Sequence, residues 1–262
     1  MTPWEPIGLD EGSCYFWQIG PLRLWVQNLG VEWIEAHEYD AESEHYTSLV
    51  SARPAEKPPG LEWSRLICNE ESSVLKLTPF LPDRPVVVGS KQTLKVLPGS
   101  DALFFVTVPM WISLCVGRQG ASKLMEIPSV VLSNTWFGGL TSGEFCYSLK
   151  TAAYRTVKDA LVFANELICP VRVKNIATTA LDFKRLCVHV EHLKIYGGPV
   201  LLWTNEVAIT HEGADLPSSV RYNETPPPFE EKCVLINRER TPPERNLFKK
   251  SFSFLRYFTT TE

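Results

Sequence analysis

Residues 161–213 read LVFANELICPVRVKNIATTALDFKRLCVHVEHLKIYGGPVLLWTNEVAITHEG, and this stretch decides the fold class. Cys169-Pro-Val171-Arg-Val173-Lys-Asn175 alternates apolar with polar residues, and Leu181-Asp-Phe183-Lys-Arg-Leu186-Cys-Val188-His-Val190-Glu191 does so less strictly. Successive side chains of a strand point to opposite faces, so a period of two predicts one buried face and one wet one. The polar link from Asn175 to Ala180 has the length of a hairpin connection. Tyr196-Gly-Gly-Pro199 punctuates the run, because glycine reaches positive φ and proline ends a hydrogen-bonded ladder. Leu201–Trp203 and Val207–Ile209 follow as further short strands.

The same texture extends toward the N-terminus. Tyr15 to Ala36 holds three short aromatic or β-branched runs separated by Gly20-Pro21 and Asn28-Leu-Gly30, the pattern of a meander. Trp17, Trp25 and Trp33 resemble a stacking platform, but tryptophans on successive paired strands more often form a core layer. Strands resume at Ser73–Pro79, Arg84–Gly89 and Gln92–Leu97. Ala102–Val116 is too long for one ordinary strand, so Pro109 marks an edge, a bend or a crossing between sheets. Leu132–Thr151 reads as a hairpin with turn chemistry from Gly138-Gly139 and Ser142-Gly143.

Two segments carry a helical signature. Thr156-Val-Lys-Asp159 combines a hydroxyl cap with an acid three residues on, and Val157, Ala160, Leu161, Ala164, Leu167 and Ile168 fall at helical spacing. That predicts one interior helix. A strand is the competing reading, since Val162-Phe163-Ala164 also suits a sheet. In the tail, Thr241-Pro-Pro-Glu244 is a capping box with proline at the first helical position. On a helix, Phe248, Phe252, Leu255 and Phe258 share a face flanked by Arg245, Lys249, Lys250 and Arg256. A basic amphipathic helix lies on an anionic membrane, fills a groove on a partner, or docks on its own body.

The expected fold is therefore mainly β: two packed antiparallel β-sandwich-like units, residues 1–127 and 128–240, with one interior helix and a C-terminal amphipathic helix over 241–262. No strand–helix–strand alternation recurs, which disfavours α/β. At this point a resemblance emerges. The hairpin of 132–151, with Cys169-Pro-Val-Arg-Val-Lys-Asn175, Leu181-Asp-Phe-Lys-Arg-Leu186 and Leu202-Trp-Thr-Asn-Glu-Val207, resembles the bacterial and archaeal family called domain of unknown function 432. The likeness spans most of the chain. It supports fold boundaries and carries over no activity, substrate or site.

Composition narrows the function classes. The chain has 262 residues and a formal net charge of -4, with no electrostatic footprint for a phosphate backbone, so nucleic acid is not expected as a partner. Its seven cysteines are odd in number, widely spread and set among apolar neighbours, the usage of reduced core thiols. Met1–Pro6 lacks the basic and apolar regions of a signal peptide, and no window of 18 uninterrupted apolar residues occurs; a cytoplasmic location is expected. Asn223-Glu-Thr225 fits the glycosylation pattern, to which that location gives no use.

No complete catalytic signature is present. Gly117-Arg-Gln-Gly120 lacks the spacing of a phosphate loop, and there is no Gly-x-Ser-x-Gly elbow. His37–His45 packs four carboxylates and two histidines into nine residues, a run that reads first as a solvated loop. The sharpest candidate is Cys187-Val-His189-Val-Glu191-His192, where residues 187, 189 and 191 would share one face of a strand, with His211 and Glu212 available to complete a shell. A polar strand face beside solvent explains the same letters. His189, Glu191 and His211 are thus the metal candidates, for zinc or another divalent ion, against an expectation of no cofactor.

Two roles follow. The first is a non-enzymatic binding or assembly protein whose C-terminal helix, through Phe248, Lys249, Lys250, Phe252, Leu255 and Phe258, contacts another copy, a protein partner or a membrane surface. The second is a metal-dependent, hydrolase-like enzyme with ligands on the strand around His189.

Overall fold

In a computed structural model the chain is described at residues 4–40, 49–68, 72–117, 122–139, 141, 143–160, 162–213, 216–243, 247–249 and 252–253. The protein is mainly β, as its alternating segments predict. Two compact units form: residues 1–80, 109–131 and 163–166 make the first, and residues 81–108, 132–162 and 167–262 the second. Each is thus assembled from three segments in place of one contiguous half. Residues 81–108, which the sequence reading gives to the first half, belong to the second unit. Among the described residues no helix is long and apolar enough to cross a membrane.

The first unit holds two antiparallel sheets. The meander is present as Cys14–Ile19, Leu22–Asn28 and Glu32–Tyr39, flanked by Leu49–Pro54 and Ser64–Ile67. Trp17, Trp25 and Trp33 are all buried, so they form core and not a platform. The second sheet consists of Ile7–Gly8, Val74–Phe80, Trp111–Val116 and Ser122–Pro128. Buried Asn28 donates from Nδ2 to the Leu9 carbonyl at 2.9 Å, and Tyr39 donates to the Pro128 carbonyl at 2.8 Å, two links from the meander to the other sheet's chain. Pro109 ends the strand Asp101–Pro109, and Trp111–Val116 continues in a different sheet, so the long apolar run is a crossing.

The second unit holds a five-stranded and an eight-stranded sheet, both mixed. The smaller runs Ser133–Phe137, Glu144–Leu149, Val86–Val96, Leu181–Val188 and Phe252–Ser253, with Glu144–Leu149 and Val86–Val96 parallel. In the larger, Glu166–Asn175 pairs in parallel with both Leu202–Thr204 and Val207–His211. The expectation of antiparallel sheets is corrected at these three pairings.

The connection from Asn175 to Ala180 is not a hairpin, because Glu166–Asn175 and Leu181–Val188 lie in different sheets. The fully buried Asn175 side chain makes the corner. Its Nδ2 donates to the carbonyls of Val96 and Thr179, each at 2.9 Å, while its Oδ1 accepts from the Ala177 N–H at 3.0 Å. An asparagine that satisfies local backbone groups can turn the chain without a ladder partner.

The expected interior helix is also corrected. Thr156 does cap a turn, accepting from the Asp159 N–H, but the turn is a single 3-10 unit, Val157–Asp159, and a strand begins at Glu166. Leu167, Ile168, Cys169, Pro170 and Val171 are consecutively buried. A strand covered on both faces is apolar at every position, so it satisfies a helical period as readily as its own.

The C-terminal helix is not formed where the tail is described. Leu247–Lys249 pairs with Ser218–Tyr222, and Phe252–Ser253 pairs with Leu181–Val188, each an antiparallel addition to the end of a sheet. Open strand edges offer rows of unpaired backbone groups, and these override the helical spacing of Phe248 and Phe252. Lys250, Leu255 and Phe258 lie outside the described residues.

Two outcomes test this architecture. Asn175→Ala strips three hydrogen bonds from a buried corner and should cost about 2–4 kcal/mol in urea denaturation. Truncation at residue 243 should lower the melting temperature with the mass in solution unchanged, since the described tail strands complete sheets of their own chain.

Candidate functional site

The strand Val86–Val96 sits between two neighbours in the smaller sheet of the second unit. Its first residue, Val86, is opposite Tyr147 on one side and Val188 on the other. Glu144 and Cys146 on one flank, and His189 on the other, therefore lie beyond the point where the middle strand enters the ladder. There the flanking chains approach each other. Glu144 and Cys146 are two residues apart and share a face of their strand, while Cys187, opposite Val87, is the last residue but one of Leu181–Val188.

Three different donors converge at that place. Glu144, Cys187 and His189 each offer one ligand atom, and the three atoms lie within 4.8 Å of one another. His189 Nε2 is 2.9 Å from Glu144 Oε1. The His189 side chain is 1% exposed and that of Glu144 33%, so solvent reaches the group from the carboxylate side. Cys187 is buried too, and its Sγ is 3.9 Å from the Sγ of buried Cys146. Val87 and Phe137 complete the apolar packing around the two thiols.

The sequence-selected stripe of residues 187, 189 and 191 is only partly realised. The strand ends at Val188, His189 takes φ -83 and ψ 80, and Val190–His192 forms a 3-10 turn. Cys187 and His189 reach the group. Glu191 is turned toward His192, whose Nε2 is 3.7 Å from Glu191 Oε1, and it stays close enough to feel His189 and Glu144 electrostatically. His211 ends the strand Val207–His211 opposite Asn175 and is not among the three convergent donors.

Burial and neighbouring acids raise several titratable groups around the site. The Cys187 thiol is pushed well up by its hydrogen bond with Cys146, then by burial and by the negative charges of neighbouring groups including Glu144 and Glu191. Burial pushes the Glu191 carboxyl up, against the pull of His189. The Tyr222 hydroxyl is raised by burial and by the same acids. Glu191 Oε2 and Tyr222 OH are buried and have no hydrogen-bond partner among the described residues. Such groups call for a polar occupant nearby. A divalent cation reverses this logic, because a coordinated thiol loses its proton.

The donor chemistry is sulfur, nitrogen and carboxylate oxygen, the set that suits zinc, whereas calcium and magnesium take oxygen alone. The residues present therefore fit a borderline-soft transition ion. Glu144 and Cys146 escape a reading of the sequence that looks only along one strand. The signal that finds them is the repeated spacing: Glu144-Phe-Cys146 and Cys187-Val-His189 are both donor pairs two residues apart.

A family model described as protein of unknown function (DUF432) matches residues 3–256. The chain belongs to this family. The match spans both units and every residue of the donor group, in agreement with the resemblance seen in the sequence. No curated protein and no solved structure matches the chain.

His211 supplies a pH dependence separate from the donor group. It is buried, and desolvation lowers its pKa below the usual 6.5. Between that depressed value and 6.5 the unfolded chain binds a proton that the folded one refuses, so the stability linked to His211 is complete above about pH 6.5 and is lost as pH falls. Urea midpoints at pH 7.5 and 5.5 should show a smaller loss on acidification for His211→Gln than for the unaltered protein.

Proposed function

We propose that this protein is a metal-binding protein, with Glu144, Cys187 and His189 holding a zinc-like divalent transition ion. The single observation that carries this reading is the convergence of a carboxylate, a thiol and an imidazole within 4.8 Å, from strands some 40 residues apart in sequence. Chance pairing of a buried histidine with a carboxylate accounts for the 2.9 Å contact alone. It does not account for the adjoining thiols.

The ion would join the start of Glu144–Leu149 to the end of Leu181–Val188, where the strand between them has not yet entered the ladder. Metal affinity gained in this way is folding free energy, because the site does not exist in the unfolded chain. A binding or assembly role is thus retained from the sequence reading, but it rests on the metal group. The contact surface assigned to the tail is not part of it, since the helix that would carry Phe248 and Phe252 on one face is not formed there.

A second reading has its own support. Glu191 and Tyr222 place an unpaired carboxyl oxygen and an unpaired hydroxyl, both buried, in the same electrostatic neighbourhood. Three protein ligands with an open fourth position are the arrangement of catalytic zinc, and Glu191 would then handle a proton. This is the metal-dependent, hydrolase-like alternative.

Metal analysis of protein purified without chelator should find about one transition ion per chain, with zinc the principal species. His189→Ala and Glu144→Gln should each weaken zinc binding by at least about 100-fold, above the usual 10- to 100-fold cost of losing an outer partner. Far-ultraviolet circular dichroism confirms that the variants remain folded. Folded, unaltered protein that neither retains an ion nor takes up zinc or cobalt from buffered solution would end this reading.

A further inference from the structure

We infer that Cys146 is the fourth ligand of this ion, which closes the coordination sphere as two sulfurs, one nitrogen and one oxygen and makes the site structural. The inference rests on the metal reading above and decides between its two forms. Its basis is the distance between the sulfurs. Zinc–thiolate bonds of about 2.3 Å at a tetrahedral angle place two sulfurs about 3.8 Å apart. Cys146 Sγ and Cys187 Sγ are 3.9 Å apart. Two thiols already stand at the separation that a shared ion would impose; Cys146, whose Sγ donates to the Glu144 carbonyl at 3.6 Å, lies outside the three donors that share a 4.8 Å span and would join them by turning its side chain.

A disulfide does not explain the pair. Cys146 and Cys187 belong to strands that flank Val86–Val96 on opposite sides. Both cysteines are free thiols, and their sulfurs at 3.9 Å stand well beyond the roughly 2.05 Å of a disulfide bond. A metal ion bridges that gap because it adds two bonds of its own length between the sulfurs. Burial agrees with a closed site: Cys146 is 0% exposed and Cys187 1%, with Val87 and Phe137 beside them. An apolar wall on the sulfur side leaves no approach for substrate there. On the other side Glu144 occupies the opening.

Ligand geometry gives Cys146 a second qualification. It shares a strand face with Glu144, so the ladder that positions the carboxylate positions the thiol as well. Glu144-x-Cys146 and Cys187-x-His189 then act as two matched pairs, one from each flank of the middle strand. Closed four-ligand sites hold elements together, whereas catalytic sites keep one position for water.

Cobalt substitution tests this directly, because thiolate-to-cobalt charge-transfer absorption scales with the number of bound sulfurs. Unaltered protein saturated with cobalt should show tetrahedral d–d bands, and Cys146→Ser and Cys187→Ser should each reduce the charge-transfer intensity about two-fold per bound ion. A loss confined to Cys187→Ser would overturn the fourth-ligand inference and leave the three-ligand reading standing. Failure of the unaltered protein to bind cobalt or zinc would overturn both. Should Cys146→Ser not fold, X-ray absorption on the zinc-loaded unaltered protein counts the sulfurs without any substitution: two supports the inference and one refutes it.

Discussion

The strand Glu166–Asn175 is covered on both faces through most of its length, and the second unit is arranged around the need to pair its backbone. A strand sealed from water must hand every N–H and C=O to a neighbour. It does so to Leu202–Thr204 and Val207–His211 in parallel, while Asn175 exchanges backbone hydrogen bonds with Gly99 and Ser100. Parallel pairing requires crossover connections. Those connections carry the chain out of one sheet and into the next, which is why the corner at Asn175 matters. Its side chain satisfies three backbone groups at the turn.

That corner has a consequence for chemistry. Leaving the larger sheet at Asn175 lets Leu181–Val188 join the smaller one, on the far side of Val86–Val96 from Glu144–Leu149. Register then does the rest. Since Val86 is the first residue paired on both sides, residues 144 and 146 overhang on one flank and residue 189 on the other. A slip of two residues in either ladder would carry the donors about 6–7 Å along the strand and dissolve the group. The contacts of Cys146, Cys187, His189 and Glu144 are thus a product of sheet order and register together.

Much of the fold was legible in the residues themselves. The aromatic and β-branched runs from Tyr15 to Ala36 correspond to the strands of a meander, Val74–Phe80 is a strand with an alternating buried face, and Pro109 marks a passage between sheets. Two helical readings failed for different reasons. Around Leu167 the apolar density came from burial on both faces, which no single period describes. In the tail the spacing of Phe248 and Phe252 was helical, but open edges at Ser218–Tyr222 and Leu181–Val188 took the backbone instead. The candidate site was half legible. Cys187 and His189 stood out by their spacing, whereas Glu144 and Cys146 sat in a hairpin that gave no hint of its destination.

The amino-acid sequence alone determined that this chain is mainly β, where its turns fall, and which donors come in pairs two residues apart. Those are local properties, set by pleat geometry and by the backbone freedom of glycine, proline and asparagine. Only the tertiary structure decided which pairs meet, that the two units draw on interleaved segments, and that Glu191 and His211 stand outside the donor group. Strand order and register arise from burial and backbone pairing summed over the whole chain. No window of residues contains that sum.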